Sequence, residues 1–112
     1  MATEQDLTKI AISMEQAKEA IMLRDALRRL CANADFNLLI NKIYLEDEAI
    51  RLVKAKAGVA RQDEKIQKDL DHRIIAIGQL NQFFLGVEAA GYQAEKSIIA
   101  DEHERELALG EE

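Results

Sequence analysis

Apolar positions recur every seventh residue through the last third of this chain, in a series formed by Leu70, Ile77, Phe84, Gly91 and Ile98. A second row runs beside it through Arg73, Leu80, Val87 and Ala94. Spacings of three and four held over four heptads keep one seam of an α-helix pressed against a neighbour. Nearer the N-terminus, Leu7, Ile10, Met14, Ala17 and Ile21 make a comparable stripe that drifts onto Leu23, Leu27 and Leu30. A third stripe carries Phe36, Ile40, Ile43, Ile50, Val53 and Ala57, flanked by Leu38, Leu45 and Leu52. The pattern predicts an all-α protein: one domain over 1–112, with long helices at about 3–32, 35–57 and 62–108. The first two helices and a long third one carrying the heptad seam would pack in coiled-coil fashion and favour oligomers.

Punctuation agrees with those limits. Thr3 begins the first helix as a cap, with Asp6 as the acid three residues on. The break at Asn33-Ala34-Asp35 offers an Asn tolerant of left-handed backbone and an Asp to cap the next helix. Gly58 is a helix stop, and Arg61 or Gln62 leads into a third helix whose first turn holds Asp63 and Glu64. Acid-before-base pairs four apart (Asp25 with Arg29, Asp47 with Arg51, Glu64 with Lys68, Asp69 with Arg73, Asp101 with Arg105) support the same helices, at ~0.2–0.5 kcal/mol each. They read equally as solvated surface.

At 1.5 Å per residue the helices are ~43, ~35 and ~65–70 Å long. An antiparallel arrangement then leaves the end of the third without a partner, with Ile98, Ile99, Leu107 and Leu109 overhanging, or bends it at Gly86 or Gly91. Gly78 and Gly86, eight apart, could admit another backbone closely; simple tolerance of the glycines is the other reading. The seam residues Leu70, Ile77, Leu80, Phe84, Val87 and Ile98 are the expected interface with another copy or a partner.

The chain has no proline and five glycines; 48% of it is hydrophobic and only 4% aromatic, which favours helix over sheet and order over disorder. One cysteine, Cys31, cannot form an internal disulfide, so a reducing compartment is expected, with Cys31 as a small buried filler. The first residues lack the basic start and apolar run of a signal peptide, and no stretch approaches the ~20 apolar residues of a membrane span.

Catalytic machinery is not legible. There is no phosphate-cradling glycine loop, no nucleophile elbow and no Cys-x-x-Cys. Asp69 and His72 stand at the i, i+3 spacing of di-iron bundles, yet such sites need two such pairs plus two further glutamates. A non-enzyme without cofactor, metal or catalytic residue is expected.

Charge is uneven within a net of −6. Arg51, Lys54, Lys56, Arg61, Lys65 and Lys68 gather around the turn between helices two and three, whereas Glu88 onward is dominated by acids. The basic tip could meet phosphates or an acidic protein surface, or simply be a polar hairpin end. No aromatics are interleaved for base stacking, and the overall acidity opposes a nucleic-acid coat.

The strings Ala32-Asn33-Ala34-Asp35-Phe36 and Ala49-Ile50-Arg51-Leu52-Val53, followed by residues 74–84 (IIAIGQLNQFF), resemble a group of small, acidic, helical proteins of tailed bacteriophages encoded among head and virion-assembly genes. The likeness covers roughly residues 20–107. Members often carry a proline after the Asn, where this chain has Ala34, and the region after Gly58 is shorter here. The resemblance implies no catalytic residues. It implies a virion structural or morphogenesis role, in contact with itself and other virion proteins, in the host cytoplasm during assembly or in the virion. A phage-encoded regulator or inhibitor of a host protein, or an assembly chaperone or adaptor, is the alternative.

Overall fold

The computed structural model describes residues 3–58 and 63–110, which are helical almost throughout, with no strand among them. Helix α1 spans Glu4–Ala32. It starts where the sequence places it: the Asp6 N–H donates to Thr3 Oγ1 and the Thr3 N–H donates to Asp6 Oδ2, both at 3.1 Å. Two backbone donors that the helix itself cannot satisfy are thereby paired. The Thr3 N–H also holds the Asp6 carboxyl below its ordinary value of 3.8.

The first break works differently from the expectation. Asn33 is extended, at φ −76° and ψ 123°, and its Oδ1 accepts the Phe36 N–H at 3.0 Å. Asn33, not Asp35, is therefore the cap, and no described residue has positive φ. A side-chain acceptor satisfies the orphan donor without the cost of left-handed backbone.

The second rod is composite. A single turn, α2 (Ala34–Phe36), leads into a π-helix over Asn37–Glu48 and then α3 (Ala49–Lys56). The π-helix returns each N–H to the fifth residue back, so its turns are wider than those of an α-helix. Side-chain ties follow that wider turn: Asn41 donates to Asn37 Oδ1 at 2.8 Å, and Lys42 reaches Asp47, five residues on, at 3.1 Å. The widening rotates the inward face away from the stripe that α-helical spacing predicts. Ile43, Ile50 and Val53 are exposed, while Leu52, expected to flank, is the most buried large side chain, at 1% exposure. The rod ends one residue early. Ala57 N–H bonds the Lys54 carbonyl and Gly58 N–H that of Ala55, each at 3.1 Å, a tightened last turn that needs no left-handed glycine.

Helix α4 runs unbroken over Glu64–Gly110, through Gly78, Gly86 and Gly91. Asp63 is its cap, accepting the Lys65 and Ile66 N–H groups at 3.0 and 3.1 Å. The expected lead-in at Arg61 or Gln62 lies outside the described residues.

Where the sequence reads as one domain, contacts gather into two compact units. The hairpin unit (Arg28–Leu85) centres on Leu52, Leu70 and Ile77, with Tyr44, Leu45, Ala49, Ala55 and Ile74 packed against them. The terminal unit (Met1–Leu27 with Gly86–Glu112) buries Ile10, Met14 and Ala17 of α1, Ala94 of α4, and the charged Arg24. The C-terminal half of α4 therefore does not overhang. It has α1 as its partner, with Ser13 Oγ donating to Asp101 Oδ2 at 2.8 Å and Arg24 paired with Glu95 at 2.5 Å.

Candidate protein-docking surface

The residues expected to meet a partner are largely used by the chain itself. Leu70 and Ile77 lie in the hairpin core, at 6% and 4% exposure. Leu80, Phe84, Val87 and Ile98 are half-buried, and Phe84 meets Phe36 edge-to-face with ring centroids 6.2 Å apart. Leu70 and Ile77 thus belong to an internal core and not to a partner contact, whereas Leu80, Phe84, Val87 and Ile98 stay partly accessible. An apolar row cannot declare whether a neighbour from its own chain or from another will cover it.

What remains open is the other half of each apolar doublet on α4. Ile74 is half-buried and Ile75 is 55% exposed; Phe84 is half-buried and Phe83 is 63% exposed; Ile98 is half-buried and Ile99 is 70% exposed. Adjacent residues on a helix point about 100° apart. A doublet therefore widens the apolar arc beyond what one neighbour covers. This signal was present in the sequence, at Ile74-Ile75, Phe83-Phe84-Leu85 and Ile98-Ile99, and separates the buried row from the exposed one.

The second rod of the hairpin unit also exposes large apolar residues, Leu38, Leu39, Ile43, Ile50 and Val53. An open groove of about 450 Å³ lies between the rod and α4, bounded by Leu39, Ile43 and Tyr44 on one side and by Arg73 and Ala76 on the other. Leu52 and Ile77 of the core form part of its lining, so the groove opens directly onto the hydrophobic centre of this unit. An exposed apolar groove of this kind is the sort of surface at which proteins dock partners. Leu39, Ile43 and Tyr44 were absent from the expected interface because the π-helix, which sets their direction, leaves no trace in residue spacing; Ala76 lies on α4, off the heptad seam.

Glu48 and Arg73 line the groove, and each is ion-paired, as are other charged groups of the second rod. Arg51 holds Glu48 through two bonds, Nε to Oε2 at 2.9 Å and Nη2 to Oε1 at 2.5 Å. That pairing lowers the Glu48 carboxyl below 4.5 and raises the Arg51 guanidinium. Lys42 spans Glu46 and Asp47, and Asp47 foremost raises its ammonium. Among the acid–base pairs predicted at four, Asp69 and Arg73 meet at 3.9 Å. Elsewhere Asp25 takes Arg24, Asp47 takes Lys42 and Arg51 takes Glu48.

The basic tip is partly spent. Arg51 is committed to Glu48, and Lys56 is ion-paired with Asp71 across the hairpin. Lys54, Lys65 and Lys68 are exposed, and Arg61 lies outside the described residues. Cys31 is exposed rather than buried, with Asn41 Nδ2 3.5 Å from its sulfur. Among the described residues no group of three or more His, Cys, Asp or Glu could hold a metal ion, and no helix is long and apolar enough to cross a membrane.

In the terminal unit the α1–α4 contact is close because a glycine faces an arginine. A Cβ added at Gly91 would fall 2.4 Å from Arg24 Cβ and 2.6 Å from its Cδ. Gly78 and Gly86 have nothing within 4 Å of an added Cβ, so no described part of this chain packs closely against them. On the outer face Tyr92 and Ile99 are exposed, and Lys96 Nζ lies 4.5 Å from the centre of the Tyr92 ring. Comparison with known protein families, curated proteins and solved structures finds no match to this chain.

Proposed function

We propose that this chain is a non-enzymatic structural or morphogenesis protein of a tailed phage, which acts by helix-mediated assembly with further copies of itself and with other virion proteins. The observation that carries the assembly half is the open apolar groove of the hairpin unit, with Leu39 61% and Ile43 46% exposed above a small core in which, among the described residues, Leu52, Leu70 and Ile77 are buried. A two-helix hairpin with so small a core gains most from a further helix laid into its groove. The phage half rests on the sequence resemblance. The work would take place in the host cytoplasm during assembly, with the particle as destination.

A regulator that imitates nucleic acid is less favoured, since Asp101, Glu102, Glu104 and Glu106 spread around the helix and do not line one face. A chaperone or adaptor would use the same groove and differ only in leaving the finished particle.

Two measurements test the reading. Sedimentation of the wild type should show association that Ile43→Asp with Ala76→Asp abolishes at unchanged helix content. Mass spectrometry of purified particles should find the chain in many copies. A wild-type protein that stays monomeric alone, and that is absent from particles and their precursors, would refute the proposal.

A further inference from the structure

The buried rows of the terminal unit contain a register problem. On α1 the residues Leu7, Ile10, Met14, Ala17, Ile21 and Arg24 alternate at three and four, the spacing of an uninterrupted heptad, and all are buried or half-buried. On α4 the facing series is Val87, Gly91, Ala94, Ile98 and Asp101, with the same alternation. Two helices that both repeat every seven residues can slide by one heptad and bring apolar residues together again. A buried polar residue at such a position is the best-attested device for choosing one register.

Arg24 is that residue. It is 4% exposed, paired with Asp25 at 3.0 Å and Glu95 at 2.5 Å, and its Nη1 is buried without a partner. Its carboxylate partners do not by themselves define the alignment. Asp25 travels with α1, and Glu95 has counterparts one heptad away in both directions, at Glu88 and Glu102. The glycine has none: seven residues before Gly91 stands Phe84, and seven after it Ile98. A methyl group at 91 would already collide with the Arg24 stem, so a phenylalanine or isoleucine there admits it still less.

We infer that Gly91 is the register lock of the α1–α4 pair. It is a notch that admits the buried stem of Arg24 in one alignment, whereas the apolar rows and the carboxylates would accept three. The Ser13–Asp101 hydrogen bond marks the same register, because a slide of seven would set Ser13 against Ala94 or Ala108.

The test moves the notch. In a Cys31→Ala background, one reporter protein carries Ser13→Cys with Asp101→Cys, for the native register. A second carries Ser13→Cys with Ala108→Cys, for a one-heptad slide. Both remove the Ser13–Asp101 bond, so Gly91 is the mark under examination. A short thiol crosslinker should join 13 to 101 and leave 13 and 108 unlinked. Adding Gly91→Ala with Ile98→Gly should reverse that preference, since the notch now lies seven residues on and Glu102 takes the place of Glu95. Retention of the 13–101 cross-link at its original yield in this variant would overturn the inference. If the moved notch does not restore a paired fold, Arg24→Ala with Gly91→Ala decides. With no stem to house, the helices should pair again and cross-link at both 101 and 108. Cross-linking still confined to 101 would show that the register is chosen elsewhere.

Discussion

Replacing Leu52 by Ala is the sharpest probe of the hairpin unit, because α-helical spacing and the folded structure assign the core differently. Spacing places Ile50 in the buried stripe and Leu52 at its flank; in the structure Ile50 is 48% exposed and Leu52 1%. The substitution removes three buried carbons, at ~0.8 kcal/mol each, or ~2.4 kcal/mol of transfer free energy. A cavity contribution adds to this, but Leu52 lines the open groove, so water and neighbouring side chains can take up the space. The total should be about 3 kcal/mol, in the lower half of the ~2–5 kcal/mol range for buried leucines. For 112 residues a whole-chain stability of ~6–17 kcal/mol is expected, so this one change removes a large part of it. With a urea slope of ~2 kcal/mol per molar, the unfolding midpoint followed by far-ultraviolet circular dichroism should fall by ~1.5 M. Ile50→Ala, measured in dilute protein where association does not protect the site, should cost less than ~1 kcal/mol. If Ile50→Ala destabilised the chain more than Leu52→Ala, the rotated inward face of the second rod would be wrong.

Acid should loosen the α1 cap and the second rod. The folded-state carboxyls of Asp6 and Glu48 lie below their ordinary values of 3.8 and 4.5, so their contribution is complete above those values and is lost as pH falls through the lower, folded ones. Helix content followed below about pH 4 should decline less in Asp6→Asn with Glu48→Gln, which lacks this linkage, and an equal decline would refute the assignment. Cys31 should react with a disulfide reagent in the native protein about as fast as in urea, because it is exposed; strong native protection would place it back in a core or under a partner.

Much of the local structure was decided by residue type and short spacing. The capping pair of Thr3 and Asp6, the acid at Asp63 and the break at Asn33 each depend on groups within one or two turns of one another, and such groups meet in almost any fold. That Leu70 and Ile77 would be covered was also legible, since a heptad row demands a neighbour. Which neighbour covers them depends on contacts far apart in the chain, and only the tertiary structure decided it. It paired the first half of α4 with the second rod, so that Leu70 and Ile77 of the seam became an internal core and the exposed halves of the doublets became the surface. It also widened the second rod into a π-helix, which turned Leu52 inward and Ile43 outward without altering one residue spacing. Gly91 shows the same division. Composition allowed a bend or simple tolerance there, and the approach of Arg24 from a distant helix made it a notch, because a missing Cβ acquires meaning only when another side chain occupies its place.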